Sequence, residues 1–164
     1  MGLFGVAIAL VALPDMTELY IKKDSKNFNK TFLRGSLSTL SLGLATMIFY
    51  LFFSAEIISL LFERGEFQEF DVAMTSASLV AYAYALPFLL NSKFFNSIFF
   101  ATSKTKFVLL LGIVSLFINL LLNYLFIFIF GMGHVGLALA TTCAALIVWL
   151  LSIIFLIYLR KSLA

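Results

Sequence analysis

The chain has 164 residues, 63% of them hydrophobic and only 12% charged, with a formal net charge of +3 and a mean hydropathy of +1.11. Soluble domains carry about 25% charged residues, so this composition excludes an ordinary water-soluble globule and demands several membrane spans. The basic residues sit in short clusters between apolar runs, where topology signals lie, and leave no footprint for nucleic acid; a lone Cys143 and a lone His134 exclude an intrachain disulfide and a zinc site.

Gly2 to about Tyr20 is the first apolar segment, and Pro14, Asp15 and Glu18 mark its polar end. Met1 to Leu13 has no basic start and no clean cleavage site, which argues against a secretory signal. It is short for a span before Pro14 and reads as the second half of a membrane helix. Ile21 to Lys30, IKKDSKNFNK, is a basic loop or a helical extension at the surface. Phe32 to Phe53 is the first predicted full span, about 33 Å as a helix at 1.5 Å per residue. Ser36, Thr39, Gly43 and Thr46 share one face of it, as suits close helix packing in lipid. In Ala55 to Asp71, Ile57, Ile58, Leu61 and Phe62 at helical spacing predict a short interfacial helix. Glu56, Glu63, Glu66, Glu69 and Asp71 give that stretch a solvated acidic face.

Val72 to Ala101 is the second full span, and Pro87 should kink it by removing a backbone bond and crowding the preceding turn. Its heart, Ala81 to Ala101 (AYAYALPFLLNSKFFNSIFFA), is the stretch the rest is organised around. Asn91, Ser92, Lys93 and Asn96 fall close together there, and each unpaired polar group in hydrocarbon costs several kcal/mol. One reading makes Lys93, Asn91 and Asn96 the lining of a wet cavity and candidates for substrate contact. The other lets Lys93, about 12 Å along the helix from Ala101, snorkel toward the headgroups. Thr102 to Lys106, TSKTK, is a tight basic turn. Phe107 to Phe130 is the third span, with Asn119 and Asn123 inside it. Gly131 to Gly136, GMGHVG, is a glycine-punctuated turn. Val135 to Leu159 is the fourth span, closed by Arg160 and Lys161.

The fold class is therefore all-α: a polytopic membrane helix bundle of about four full transmembrane helices, a partial N-terminal one and a short interfacial helix, forming a single membrane domain over residues 1–164. If each run crosses once, Lys22, Lys23, Lys26, Lys30, Arg34, Lys104, Lys106, Arg160 and Lys161 share one side, Arg64 has the other, and Lys93 is intramembrane. The positive-inside rule puts the basic loops and the C-terminus in the cytoplasm. There is no glycine-rich phosphate loop, shielded carboxylate pair or nucleophile with a base, so an enzyme is the weakest reading.

Four blocks, GLFGVAIALVALP, LLFERGEF with a following FD, AYAYALP and GHVGLALATT, occur in an order and spacing that resemble the MurJ/MviN family of lipid II flippases, of the multidrug/oligosaccharidyl-lipid/polysaccharide flippase superfamily. The resemblance covers nearly the whole chain. It implies a two-lobed, fourteen-helix transporter of which this chain is the late eighth helix through the twelfth. The implied function is movement of lipid II, the undecaprenyl-linked peptidoglycan precursor, from the inner to the outer leaflet of the bacterial cytoplasmic membrane. Alternating access of that kind needs a wet, cationic cavity for the pyrophosphate, and Lys93 is the cation this chain offers as a headgroup or gating contact. The implied partners are lipid II, membrane lipids and a missing N-terminal half; without that half the chain is expected to be inactive. A non-transporting packing subunit and a flippase for another polyprenyl-linked glycan remain as alternatives.

The resemblance also implies a sodium ion bound in some members through the seventh, eleventh and twelfth helices. The eleventh-helix pair matches Asn119 and Asn123, and the threonine falls at Thr141 or Thr142. Here the second position is Asn rather than an acid, which weakens a site for a hard cation. The plainer reading is that Asn119 and Asn123 hydrogen-bond neighbouring helices. In the loop between the tenth and eleventh helices the family's Asp and Pro are replaced by Lys104 and Val108, so that turn is expected to be less rigid.

Overall fold

The structure is a computed structural model that describes the backbone from Gly2 to Leu163; the side chains of residues 1–6, 8–10 and 159–164 lie outside the description. Arg160, Lys161 and much of the first family block are therefore placed by backbone alone. Six helices follow one another: α1 (Gly2–Ile21), α2 (Ser25–Phe62), α3 (Glu69–Ala83), α4 (Leu86–Ala101), α5 (Thr105–Tyr124), which continues into a π-helical turn at Leu125–Ile129, and α6 (Gly133–Leu163). Among the described residues there is no strand.

Helix α2, helix α5 with its π turn, and helix α6 are each long and apolar enough to cross a membrane, and α3 with α4 makes a fourth span bent by 41°. These are the spans expected from the apolar runs. The separate interfacial helix is not there. Residues 55–62 prolong α2 into a single helix of 38 residues, because neither Gly nor Pro interrupts it after Phe53. The chain turns only at Glu63–Gln68, where Gly65 has φ +63°. Pro14 does not end α1 either. Packed neighbours support a proline inside a membrane helix, and the fully buried Met16 seats this part of α1 in the core.

Local chemistry sets the ends. The basic loop shrinks to a tight turn in which Lys23 has φ +55°, and Asp24 caps α2 by accepting the Asn27 backbone N–H at 3.1 Å. At the start of α3 the Gln68 N–H donates to the Asp71 carboxylate at 3.0 Å, a capping box that also places acids against the positive helix end. Part of the acidic cluster is thus helix-capping rather than merely solvated.

Contacts fix how the helices run. Phe32, early on α2, stacks 5.9 Å from Phe95, late on α4, so these helices are antiparallel. Phe107, early on α5, meets Phe155, late on α6, at 4.9 Å, so that pair is antiparallel too. Helix α6 runs parallel to the bent span, since Thr142 bonds Ala81 and Trp149 bonds Asn91. The α1–α2 turn and the α4–α5 turn therefore share one end of the bundle, with the close of α6. That end carries Lys22, Lys23, Lys26, Lys30, Arg34, Lys104 and Lys106, whereas Glu63, Glu66, Glu69, Asp71 and Arg64 gather at the other.

The core lies toward the basic end, where Met16, Phe94, Phe95, Ile98, Phe99, Leu111 and Leu156 pack together. Helix α5 buries Leu111 alone and turns Leu109, Leu116, Phe117 and Leu120 outward, each more than 60% exposed. In a membrane such a face meets lipid or another helix.

Candidate functional site: the polar groups inside the bundle

The polar cluster of α4 does not share one face. Successive helical residues are 100° apart, so Asn91 and Lys93 project to opposite sides. Asn91 is fully buried. Its amide nitrogen donates to the Thr39 hydroxyl at 2.8 Å and to the Ser36 carbonyl and hydroxyl at 3.0 and 3.1 Å. Its amide oxygen accepts the Trp149 indole N–H at 2.7 Å. One side chain thereby ties α4 to α2 and to α6. The small residues of α2 make this approach close: a Cβ on Gly43 would lie 2.5 Å from the Pro87 Cα, and one on Gly35 would lie 2.3 Å from the Phe94 ring.

Lys93 and Asn96, a turn apart, sit together on the other side. Both are half-buried and fall in an open stripe of α4 that runs Leu89, Lys93, Asn96, Phe100. Among the described residues no carboxylate pairs with Lys93. The expected trio is thus divided, with Asn91 holding the bundle together and Lys93 and Asn96 presented outward. Trp149 escaped the sequence reading although it was legible in principle: a buried indole N–H inside a span needs an acceptor.

The second polar group, Asn119, Asn123 and Thr141, is brought together by hydrogen bonds. The Asn123 amide donates to the Asn119 oxygen at 3.0 Å, the Asn119 amide donates to the Thr141 hydroxyl at 3.2 Å, and Thr141 donates to the Leu137 carbonyl at 3.1 Å. The Asn123 side-chain oxygen is buried without a partner. Asn119 and Thr141 also border a cavity of about 390 Å³ between α4, α5 and α6, with Leu89, Gly112, Ser115 and Ala145. Thr142 goes elsewhere: its hydroxyl donates to the Ala81 carbonyl of α3 at 2.7 Å. Of the two adjacent threonines, then, Thr141 faces α5 and Thr142 faces α3. The donors suit a hard cation in kind, being oxygens, but they are neutral. Among the described residues no cluster of acids, His and Cys could add charge.

Three helices long and apolar enough to cross a membrane, with a fourth, bent span, and every charged residue of the described spans except Lys93 near one end or the other, define a multi-pass helical membrane protein. The family model for the lipid II flippase MurJ matches residues 1–164, and the chain belongs to that family. It is 33% identical over 145 residues to "Probable lipid II flippase MurJ" of Vibrio cholerae serotype O1, covering 88% of this chain and 27% of the relative. It is 32% identical over 148 residues to "Lipid II flippase MurJ" of Thermosipho africanus, covering 89% and 29%. The same-named protein of Burkholderia cenocepacia is 27% identical over 139 residues, with 85% and 27% covered. The chain spans little more than a quarter of the length of these relatives.

Proposed function

We propose that the chain forms part of the C-terminal lobe of a lipid II flippase of the bacterial cytoplasmic membrane, as one membrane domain. The observation that carries this reading is the family match over residues 1–164. The open stripe of α4 supports it: it presents Lys93 beside Asn96, and among the described residues no carboxylate is paired with that lysine. A lysine held in a span without a counter-charge suits an anion that arrives from outside the chain, and the pyrophosphate and carboxylates of lipid II are such anions. Lys93 and Asn96 are the headgroup contacts of this reading; Asn91 positions the helix that bears them. The basic end faces the cytoplasm by the positive-inside rule, and the acidic end faces outward.

The translocation itself, alternating between two access states, needs a second lobe to close the cavity, and this chain contributes spans to one side of it only. The test is reconstitution in liposomes with fluorescent lipid II. The chain together with the N-terminal half of a relative should move headgroups across the bilayer, and the chain alone should not. Transport by the chain alone, or none in the pair despite assembly, overturns the reading. Within it, Asn119, Asn123 and Thr141 would hold a sodium ion, with Asn123 offering the one unengaged oxygen and other groups completing the shell. A bound cation there would draw α5 and α6 together.

A further inference from the structure

We infer that the break between α3 and α4 is a latched hinge, with α3 the moving arm and the Thr142 hydroxyl the latch. The break leaves a carbonyl without its helical donor. Pro87 falls in the first turn of α4, where its missing N–H is tolerated, and the irregular turn falls at Tyr84 and Ala85. The Ala85 N–H turns to the Tyr82 carbonyl at 3.0 Å instead of the carbonyl of Ala81. Thr142 on α6 takes up that Ala81 carbonyl at 2.7 Å.

The two sides of the break are held very differently. Beyond it, α4 is anchored by Asn91 to α2 and α6 and by the fully buried Phe94 and Phe99. Before it, α3 packs along α2 and α6 but buries only Val72 and three small residues, Ser76, Ala81 and Ala83, so each contact brings less dispersion energy than the buried aromatics of α4. Among the described residues, the bond from Thr142 is the one side-chain hydrogen bond that ties α3 to another helix. That hydroxyl has one proton and two acceptors in reach, since the Ala138 carbonyl of its own helix lies at 3.1 Å. When it turns to Ala138 it stays satisfied and frees α3. The latch opens without stranding its own donor, and α3 swings at the acidic end while α4 and α6 stay locked through Trp149. The device is independent of what the membrane domain carries.

Nitroxide pairs in a Cys143→Ala background read the two halves separately in nanodiscs. Met74→Cys with Leu137→Cys spans α3 and α6 before the break; Phe100→Cys with Ile157→Cys spans α4 and α6 beyond it. Thr142→Val removes the donor at nearly constant shape. It should broaden the distance distribution of the first pair and leave the second unchanged, and Thr142→Ser should keep the wild-type distributions. An unchanged first pair in Thr142→Val, or equal broadening of both, overturns the hinge. Should Thr142→Val not fold, hydrogen exchange on the unmodified chain decides: α3 amides should exchange about tenfold or more faster than α4 amides, and equal protection overturns the proposal.

Discussion

Asn91 joins three helices through one planar group, and its loss deprives acceptors on α2 and strands the Trp149 indole N–H on α6. Asn91→Ala is therefore expected to destabilise the bundle by about 1–3 kcal/mol, the usual cost of stranding buried polar groups. A double-mutant cycle of Asn91→Ala with Trp149→Phe should return a coupling of about 0.6–1.7 kcal/mol, the range of hydrogen bonds between membrane helices. Steric-trap or denaturant unfolding in micelles measures both, and zero coupling would mean the bond contributes nothing. At Asp24 the expectation concerns pH. Hydrogen bonds from the backbone and side-chain N–H groups of Asn27 hold its carboxyl below the usual carboxylate range. A depressed value stabilises the folded cap above the unfolded value of about 3.9, and that stability fades as pH falls through the folded value. Protection of the Asn27 amide should stay level at neutral pH and drop in acid. Asp24→Asn, which still caps, should abolish the drop. For the asparagine pair the readout is thermal: if sodium binds there, replacing potassium by sodium raises the melting temperature of the chain, and Asn123→Ala removes the rise.

Helices α2 and α4 approach closely because two glycines leave room. A methyl on Gly43 would press on the Pro87 backbone, whereas one on Gly35 meets the end of the Phe94 ring. Gly43→Ala should cost about 1–3 kcal/mol, as overpacking does, and more than Gly35→Ala, since the far end of a side chain can shift aside and a proline backbone cannot. Paired melting curves decide the order. At this scale much was legible in the sequence. Apolar runs long enough to span a bilayer, the proline in the bent span and the small residues of one α2 face all carry signals that depend only on neighbours in the chain. What was not legible depends on contacts between distant residues. The side chosen by each member of the Asn91, Lys93, Asn96 cluster is set by where α2 and α6 lie. The continuation of α2 to Phe62 was obscured because its last turns carry both apolar and acidic residues, a pattern shared by an interfacial helix and the end of a long one.

For the molecule as a whole, the sorting of basic and acidic ends predicts its orientation in the membrane. With single cysteines at Lys104 and Arg64 in a Cys143→Ala background, a membrane-impermeant maleimide added to intact cells should label position 64 and spare position 104 until the membrane is opened. Labelling of both from outside would reverse the proposed orientation or undo the span count. Transport belongs to this scale as well. With the N-terminal half present, Lys93→Ala should lower headgroup translocation while melting stays near that of the unmodified chain, because no carboxylate among the described residues pairs with Lys93. Asn91→Ala should lower both.

The bent span also bears on biogenesis. A lysine at the centre of a nascent helix adds about 2.5–3.5 kcal/mol to the free energy of release from the translocon, and α4 carries Lys93 together with four other polar residues, Asn91, Ser92, Asn96 and Ser97. Helix α2 is synthesised first and holds Ser36 and Thr39 ready for Asn91. Ribosome-bound intermediates should therefore show the bent helix lingering at the lateral gate until α2 retains it, and a chain with leucine at both of those α2 positions should be delivered to quality-control proteases in larger amounts.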